Sequence, residues 1–400
     1  MKVLVISAAF PPLRAGEADH ALHLCQHLAD RGLDIHVLTT KRKVATSHFP
    51  FKVYPIMPHW LWRDLPRLVR FLKVCSPDAV LLIYTPRDYN YHPMITFAPT
   101  ITKALLPRSR FVTQFETGLF GRQGSILTRA ILTASALCAG PKRLDDTFGT
   151  LLCKSDRIIV LSERHRDRLL ESLPSINSKI AVIPPPPVMR ICPESNGAYR
   201  ERGREALGVN PDDFLLAHFG YIYEEKGMET LLKAFQISNT QRNNTRLVMV
   251  GASMAEGHDP SYVNAIRELA KQLGIDNKVS WTGEYAPDSD QASLYLRAAD
   301  ACVFPFNYGV TMNRSSVATA AAHGLPIVTT KGSIVESPFI DGENVFLCPP
   351  RDPNSLALAI ESLISNPELR QRLRLGALQL AQECFSWDKA VERTCQALSP

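Results

Sequence analysis

Four consecutive prolines, Pro184–Pro187, divide this 400-residue chain into two segments with the same internal pattern. A proline run is stiff and extended and cannot lie inside a helix, so it marks a boundary. On both sides, short apolar runs of strand length alternate with segments whose apolar residues recur at i, i+3, i+4 and i+7. Strands that alternate with helices form parallel sheets with helices on both faces. The sequence therefore predicts an α/β protein with two Rossmann-like, doubly wound domains.

The predicted strands divide evenly between the two segments. Those of the first are Lys2–Ser7, Leu33–Thr40, Ala79–Tyr84, Arg110–Gln114, Arg157–Leu161 and Ile180–Ile183. Those of the second are Leu215–Phe219, Arg246–Val250, Val279–Trp281, Ala301–Phe304, Ile327–Thr330 and Asn344–Leu347. Helices are predicted at Pro367–Glu383 and Trp387–Leu398. We expect domains at 1–185 and 186–378, with 379–400 closing back onto the first.

Charge is unevenly distributed, because the first 185 residues carry +11 and the remainder −5. A basic half is expected to meet something anionic. No nucleic-acid-binding motif is present, so a membrane surface or a phosphorylated substrate fits better than RNA or DNA. Scattered cysteines without a CxxC pair indicate a reducing compartment, and no apolar run reaches transmembrane length. We expect a cytoplasmic protein that can act at the cytoplasmic face of a membrane.

Two stretches of the first segment have membrane-surface character. In Trp60–Val74, basic residues line one helical face and leucines another, with the helix expected to begin near Pro66. An ordinary surface helix is the alternative. The basic-flanked, largely apolar stretch Arg122–Arg143 is predicted to be helical and is long enough to lie on a bilayer.

Three histidines in the first predicted helix, His20, His23 and His27, have a spacing that suits a metal. Because no acidic ligand completes a site, we predict that they face solvent.

The stretch His218–Phe235 is predicted to be a strand, a glycine turn and a helix. Gly220 ends the strand and Lys226 precedes the helix, whose buried stripe begins at Met228. A helix N-terminus directs free N–H groups and a positive dipole end to one place, where an anion can bind. Lys226 would add a positive charge there. The alternative is an ordinary β–turn–α unit in which Lys226 is a surface lysine without a role in binding.

Six segments, in order, resemble motifs of the family 4 retaining glycosyltransferases, which have the GT-B fold. They are FGYIYEEKGMETLLKAF, KVSWTGEY, YLRAADACVFPF, TAAAHGLPIVTT, GSIVESPFIDGENVFLCPP and CFSW. The resemblance covers nearly the whole chain and implies two Rossmann-like domains facing a cleft. It further implies that the second domain binds a nucleotide-sugar and the first binds the acceptor.

The resemblance also implies roles for particular residues. Lys226 matches the family's phosphate lysine, Gly16-Glu17 its Gly-Gly pair, and Asn307–Ser316 its loop around the sugar and diphosphate. The predicted donor-binding residues are Gly16, Glu17, Gly220, Tyr221, Lys226, Gly283, Glu284, Val310, Thr311, Met312, Asn313, Arg314, Ser315 and Thr319. The predicted catalytic residues are Lys226, Thr311 and Glu116, the last as a proton acceptor on the acceptor side.

Departures from the family pattern are specific. Tyr221 stands where the family usually has arginine, and Thr311 and Thr319 stand where it has a Glu-x7-Glu pair. The usual first-domain histidine falls near Phe115. The stretch GVTMNRSS resembles a variant of some relatives, which suggests a divergent subgroup. Arg314 is our hypothesis for the missing cation.

Two further predictions concern carboxylates. Because Thr319 is too short to replace a ribose-binding glutamate, Glu284 or Glu336 is a candidate for that role. Asp288-Ser289-Asp290 spells a DxD metal motif, but Asp290 is better explained as a helix N-cap, so no metal site is predicted.

The resulting expectation is a retaining, hexosyl-type transferase that needs neither metal nor cofactor. It would move a sugar from a nucleotide-sugar to a lipid-linked or glycan acceptor in envelope or polysaccharide synthesis. One alternative is a nucleotide-sugar epimerase, and the other is a catalytically weak protein that binds a sugar nucleotide or a partner enzyme.

Overall fold

The structure is a computed structural model. It describes residues 1–42, 49–117, 148–193, 197–241, 244–252, 261–285 and 289–399, so the predicted helix Arg122–Arg143 lies outside the described residues. The chain forms two compact units, Met1–Pro184 with Trp387–Pro400, and Pro185–Ser386. The second unit therefore keeps residues 379–386, which we assigned to the closing segment. The reason is that one continuous helix, Pro367–Cys384, buries its apolar face in that unit.

The first unit contains a parallel sheet of seven strands in the order β3-β2-β1-β4-β5-β6-β7. Its strands are β1 (Lys2–Ser7), β2 (Asp34–Thr40), β3 (Lys52–Met57), β4 (Ala79–Tyr84), β5 (Arg110–Phe115), β6 (Arg157–Val160) and β7 (Ile180–Val182). The helices described between Met1 and Pro184 are α1 (Gly16–Asp30), α2 (Leu65–Cys75), α3 (Ala98–Leu105), α4 (Leu151–Lys154) and α5 (Glu163–Ser172). Strand β3 was not predicted, because Pro55 interrupts its pattern. The strand forms nonetheless because it lies at the edge of the sheet, where a missing N–H is tolerated.

The second unit contains a parallel sheet of six strands in the order β10-β9-β8-β11-β12-β13. Its strands are β8 (Phe214–Phe219), β9 (Thr245–Val250), β10 (Val279–Gly283), β11 (Ala301–Phe304), β12 (Ile327–Thr330) and β13 (Phe346–Cys348). Its helices are α6 (Ala198–Leu207), α7 (Met228–Gln241), α8 (Ser261–Gln272), α9 (Gln291–Ala298), α10 (Ser315–Ala322), α11 (Pro353–Ser365) and α12 (Pro367–Cys384). The last helix, α13 (Trp387–Leu398), belongs to the first unit. The prediction of two doubly wound parallel sheets is confirmed.

Each sheet has a point where the strand order reverses. In the first unit this point lies between β1 and β4, and in the second between β8 and β11. Chain segments that leave the carboxyl ends of such neighbouring strands diverge to opposite faces of the sheet and leave a crevice. Both crevices collect polar and charged residues, as described below.

Helix α2 shows how its amphipathic pattern is used. Leu68 and Leu72 are fully buried in the core of the first unit, whereas Arg67, Arg70 and Lys73 are exposed. The apolar face therefore packs against the protein, and the basic face remains on the surface. Among the described helices, none is long and apolar enough to cross a bilayer.

Candidate functional site

A tight turn that follows β8 in the chain fixes the position of Lys226. The strand ends at Phe219, the 3-10 turn Glu224–Lys226 follows, and Gly227 adopts φ +72° before α7 begins. A Cβ on Gly227 would lie 2.0 Å from the carbonyl oxygen of Pro305, so only glycine permits this close approach. Backbone N–H and side-chain amide of Asn307 donate to the carbonyls of Glu225 and Glu224, at 3.1 and 2.8 Å. The turn is thereby joined to the segment that leaves β11.

The ammonium of Lys226 is buried beside two aromatic rings. Its Nζ lies 5.3 Å from the ring centroid of Tyr223 and 5.0 Å from that of Phe306. Burial, reinforced by the charge of Arg314 and opposed by Glu225, lowers the pKa of Lys226 to about 7. Within the described ranges, no carboxylate pairs with this ammonium. A buried cation in this state is stabilised when an anion joins it.

Arg314 provides a second cation at the same ring. Its guanidinium carbon lies 4.8 Å from the Phe306 centroid, and Nη1 donates to the Tyr223 hydroxyl at 3.5 Å. Its Nε is buried and has no hydrogen-bond partner among the described residues. Arg314 is the N-cap residue of α10, so its charge adds to the positive end of that helix.

The first turn of α10 supplies a further unmet donor. The hydroxyl of Ser316 is buried and has no partner in the described part of the chain. Gly220, with φ +120°, lies against this turn, since a Cβ on it would be 3.5 Å from the Cβ of Ser316. Two cations, a helix N-terminus and unmet donors thus converge at the crevice between β8 and β11. This arrangement can hold a multiply charged anion such as a diphosphate.

The loop before α10 is fastened to the segment after β12. The N–H of Val310 donates to the Thr330 carbonyl at 2.8 Å, and the buried carboxylate of Glu336 accepts the N–H of Met312. Gly309 has φ +87°, and a Cβ there would lie 2.1 Å from the N of Gly332. Glu336 therefore holds the loop, which makes it a poor candidate for a ribose ligand.

The predicted donor-binding residues of the loop before α10 and of α10 itself differ in which of their groups a ligand could reach. Val310 and Met312 are 1% and 3% exposed, so only their backbones are available to a ligand. The Thr311 hydroxyl donates to the Asn313 side-chain oxygen at 2.5 Å. The fully buried Thr319 donates to the Ser315 carbonyl at 2.9 Å within its own helix.

The remaining predicted residues of the second unit lie at strand ends. Tyr221 is half-buried directly after Gly220, Gly283 ends β10 with φ +69°, and Glu284 is exposed beside it.

The rings of Tyr223 and Phe306 were not predicted from the sequence to belong to this site. The available signal was their place in the chain, with Tyr223 close to Lys226 and Phe306 just after β11.

In the first unit, His20 and Glu116 form a buried pair. Nδ1 of His20 lies 3.0 Å from both carboxylate oxygens, and Gln114 donates to Oε1 of Glu116 at 2.6 Å. The prediction that the three histidines face solvent is wrong. His20 is 5% exposed, and His27 stacks on Trp387 with centroids 4.3 Å apart. The cause is α13, which covers this face of α1.

A second polar group lies at the same edge of the sheet. Arg87 pairs with Glu17 at 3.2 Å and approaches Asp88 at 3.7 Å. Burial and the charges of Glu17 and Glu116 raise the pKa of Asp88 to about 7, against the opposing effect of Arg87. Gly16 begins α1 next to Glu17. Arg87 and Asp88 were not predicted as site residues from the sequence, although their place shortly after β4 was an available signal.

The predicted helix cap at Asp290 is wrong in its chemistry. Asp290 occupies the N-cap position of α9, but its side chain makes no capping hydrogen bond and instead lies 3.4 Å from Nε of Arg190. The pairing with Arg190 draws the carboxylate away. Asp288 lies outside the described residues. Among residues that are described, no group of three or more His, Cys, Asp or Glu could hold a metal.

Two family models match this chain. The model described as Glycosyltransferase Family 4 matches residues 15–186, and the model described as Glycosyl transferases group 1 matches residues 200–379. The D-inositol 3-phosphate glycosyltransferase of Corynebacterium kroppenstedtii is 29% identical over 65% of this chain but only 57% of its own length. An uncharacterised glycosyltransferase of Methanocaldococcus jannaschii is 25% identical over 98% of this chain and 97% of its own.

Solved structures show the same fold. A glycosyltransferase from Rickettsia africae has a TM-score of 0.75 at 13% identity, over 99% of this chain and 97% of its own. The Anabaena protein HepE, solved with UDP and glucose, has a TM-score of 0.73 at 18% identity, over 100% of this chain and 99% of its own. The GT-B fold is thus confirmed.

Proposed function

This chain belongs to the family 4 glycosyltransferases, and we propose that it transfers a sugar from a nucleotide-sugar to a hydroxyl acceptor with retention of anomeric configuration. The observation that carries the proposal is the pair of cations at one ring, Lys226 and Arg314, beside the N-terminus of α10. Neither cation has a carboxylate partner among the described residues. A nucleoside diphosphate supplies the negative charge that such a site lacks.

The chemistry follows from where charge develops. As the bond between the sugar C1 and the diphosphate oxygen breaks, negative charge accumulates on the leaving diphosphate. Lys226, Arg314 and the N–H groups of α10 are fixed in advance where they would stabilise it. The acceptor oxygen bonds to C1 on the face that the diphosphate leaves, and the acceptor proton passes to the departing diphosphate. Because two protein cations do this work, we propose that a metal ion is not required.

The donor class rests on likeness to other proteins. The Anabaena structure contains UDP and glucose. On that likeness we propose a hexose linked to a nucleoside diphosphate, and UDP-sugars are the first donors to test. Thr311 and the backbone of residues 310–313 are proposed to contact the sugar.

The proposed setting is envelope or polysaccharide synthesis on a lipid-linked or glycan acceptor at the cytoplasmic membrane face. What supports it is the surface of α2, where Arg67, Arg70 and Lys73 are exposed together with Val74. Such a basic face is attracted to anionic lipid headgroups, and its contribution weakens as salt is added.

A second candidate is a catalytically weak protein that binds a sugar nucleotide without turning it over. One observation favours it: threonines replace both glutamates of the family motif, and the hydroxyl of Thr319 is already bonded to Ser315. Ribose recognition by a carboxylate at that position is therefore lost.

A panel of UDP-, GDP- and ADP-sugars, each followed for nucleotide release and for sugar transfer, tests the proposal. Release with at least one donor, abolished in Lys226→Met and retained in Lys233→Met on the exposed side of α7, supports a transferase. Binding of a nucleotide without any release supports the second candidate. An epimerised donor without release would contradict both.

A further inference from the structure

The second unit contains a cavity of about 120 Å³ at the edge of the sheet opposite to the donor crevice. Its wall is formed by the start of α6, the ends of α9 and α10, and the middle of α12. The wall residue Ala299 lies just before β11 and Leu325 just before β12, which places the cavity at the amino edge. Ligands of doubly wound sheets bind at the carboxyl edge. The cavity is therefore separate from the crevice in which we propose that the donor binds.

Three arginines line this cavity, and each comes from a different helix. Arg200 belongs to α6, Arg297 to α9 and Arg374 to α12, and all three are half-buried. Among the described residues of the wall there is neither aspartate nor glutamate. An anion that enters the cavity thus meets three guanidinium groups without a carboxylate of the wall to repel it.

Carbonyl oxygens hold two of these guanidinium groups in place. Arg297 donates to the carbonyls of Cys192 and His323, at 2.8 and 3.1 Å. Arg374 donates to the carbonyl of Gly324 at 3.5 Å. A carbonyl carries no net charge, so these bonds position the guanidinium groups without neutralising them. Groups that are fixed before a ligand arrives lose little entropy when they bind it.

Arg200 shares its carboxylate partner with another arginine. Asp300 accepts from Nη2 of Arg200 at 2.6 Å and lies 3.4 Å from Nη1 of Arg204. Nη1 of Arg200 also donates to the carbonyls of Ala298 and Ala299, at 3.2 and 3.1 Å. Because one carboxylate serves two guanidinium groups, this group of side chains keeps a positive charge.

His323 also lines the cavity, but its ring is occupied within the protein. Nε2 lies 2.7 Å from the hydroxyl of Ser293, and Nδ1 lies 2.8 Å from the carbonyl of Thr319. Burial lowers the pKa of His323 to about 4, against the effect of its hydrogen bond to Thr319 and with a contribution from the charge of Arg297. The ring is therefore neutral at pH 7 and ties α10 to α9, and the arginines are the charged groups of the wall.

We propose that this cavity is a second anion-binding site and that its ligand is a phosphate group. Cavities of about 150 Å³ hold a molecule of the size of benzene, so about 120 Å³ suits a phosphate group better than a whole nucleotide. The N–H groups of arginine match phosphate oxygens in both geometry and charge. The N-terminus of α6, at Gly197 and Tyr199 in the same wall, adds the positive end of its dipole.

The alternative is that these arginines only stabilise helix ends. Basic side chains often bind the last carbonyls of a helix, and Arg200 and Arg297 do so at α9 and α10. That role gives no reason for three guanidinium groups to share one cavity. The two roles also differ in their consequences, because a purely structural arginine contributes to stability and not to the binding of phosphate.

The test is a titration of the full chain with inorganic phosphate, followed by phosphorus NMR at constant ionic strength in chloride. It is carried out on wild type and on the double variant Lys226→Met with Arg314→Met, in which the donor site has lost its cations. We expect the double variant to keep a phosphate site. In that background, Arg200→Gln and Arg374→Gln are each expected to weaken phosphate by about tenfold. Arg372→Gln, a change at an exposed arginine of α12 outside the cavity wall, is the matched control and should leave the affinity unchanged.

A second titration, with glycerol 3-phosphate, distinguishes the source of the phosphate group. Equal affinity for the two ligands indicates free phosphate, and tighter binding of glycerol 3-phosphate indicates a phosphate monoester. Urea denaturation of the same variants reports on their stability, and the two cavity variants serve as replacements for each other if one fails to fold.

The proposal is overturned if the double variant binds no phosphate, because the donor site then accounts for all binding. It is also overturned if the cavity variants lose stability but keep the phosphate affinity, or if Arg372→Gln weakens phosphate as much as they do.

Discussion

Lys226 and Arg314 carry like charges and approach one aromatic ring, that of Phe306, at 5.0 and 4.8 Å from its centroid. Two cations held this close repel each other, and this repulsion adds to the larger effect of burial in lowering the pKa of Lys226. A protein keeps such a pair when an anion relieves the repulsion during function. The site is therefore prepared for a ligand whose charge exceeds one.

Binding of a nucleoside diphosphate is expected to depend on pH through Lys226. In the free protein its pKa is about 7, because burial and Arg314 disfavour the charge. A bound diphosphate favours the charged form and raises this pKa, so binding takes up a proton above pH 7. Affinity should fall by up to about tenfold per unit as the pH rises from 7 to 9. Calorimetry in buffers of different ionisation enthalpy measures the proton uptake, and its persistence in Lys226→Met would contradict the assignment.

Gly227→Ala is expected to destabilise the protein and to weaken donor binding. The new methyl group would meet the Pro305 carbonyl at 2.0 Å, in addition to the strain of φ +72°. Gly274→Ala is the matched control, because Gly274 has φ +67° and open space around a Cβ. We expect the control to cost about 1–2 kcal/mol and Gly227→Ala to cost about 2–5 kcal/mol in unfolding free energy. Equal losses by urea denaturation would show that the contact with Pro305 is unimportant.

Glu336→Ala is expected to raise the KM for the donor, because the N–H of Met312 loses its acceptor and the loop before α10 loosens. The unmet N–H should cost about 1–3 kcal/mol of stability. Glu336→Gln keeps an acceptor oxygen and should restore most of the stability and most of the wild-type KM for the donor. If Gln proves as harmful as Ala, the negative charge of Glu336 matters more than its hydrogen bond, and a direct role toward the ribose returns.

Charge reversal on α2 tests the proposed membrane surface. Arg70→Glu with Lys73→Glu changes two exposed side chains and leaves the buried leucines of that helix in place. We expect binding to vesicles rich in anionic lipid to fall, by about 1 kcal/mol for each cation removed. The control pair, Lys233→Glu with Arg267→Glu, alters two exposed cations of the second unit. Equal losses of vesicle binding in the two double variants would indicate that the net charge of the protein, and not the basic face of α2, determines binding.

Local patterns in the sequence sufficed for the fold and for naming three residues that the structure brings together at the candidate site. Gly220, Lys226 and Arg314 were predicted because a strand end, a glycine and a helix start are adjacent in the chain. The rings of Tyr223 and Phe306 were not, since a position beside a cation depends on two turns meeting in space. Neither periodicity nor spacing reports such contacts.

The same limit explains the histidines of α1. His20 was predicted to face solvent because its partners, Glu116 and the covering helix α13, come from distant parts of the chain. A helical pattern identifies which residues share a face, and it does not identify what covers that face. Strand β3 was missed for a related reason, because only its place at the sheet edge makes Pro55 acceptable.

The central claim is that Lys226 and Arg314 together bind the donor diphosphate. The most direct measurement is the Kd of the nucleoside diphosphate identified in the donor panel, and of its nucleoside without phosphates, for wild type, Lys226→Met, Arg314→Met and the double variant. Arg267→Met, which removes an exposed arginine stacked on Trp281, is the control. We predict that each single change weakens the diphosphate by about tenfold or more, or about 1.4 kcal/mol, with the nucleoside unaffected. Wild-type affinity for the diphosphate in either single variant, or equal losses for diphosphate and nucleoside, would contradict the account.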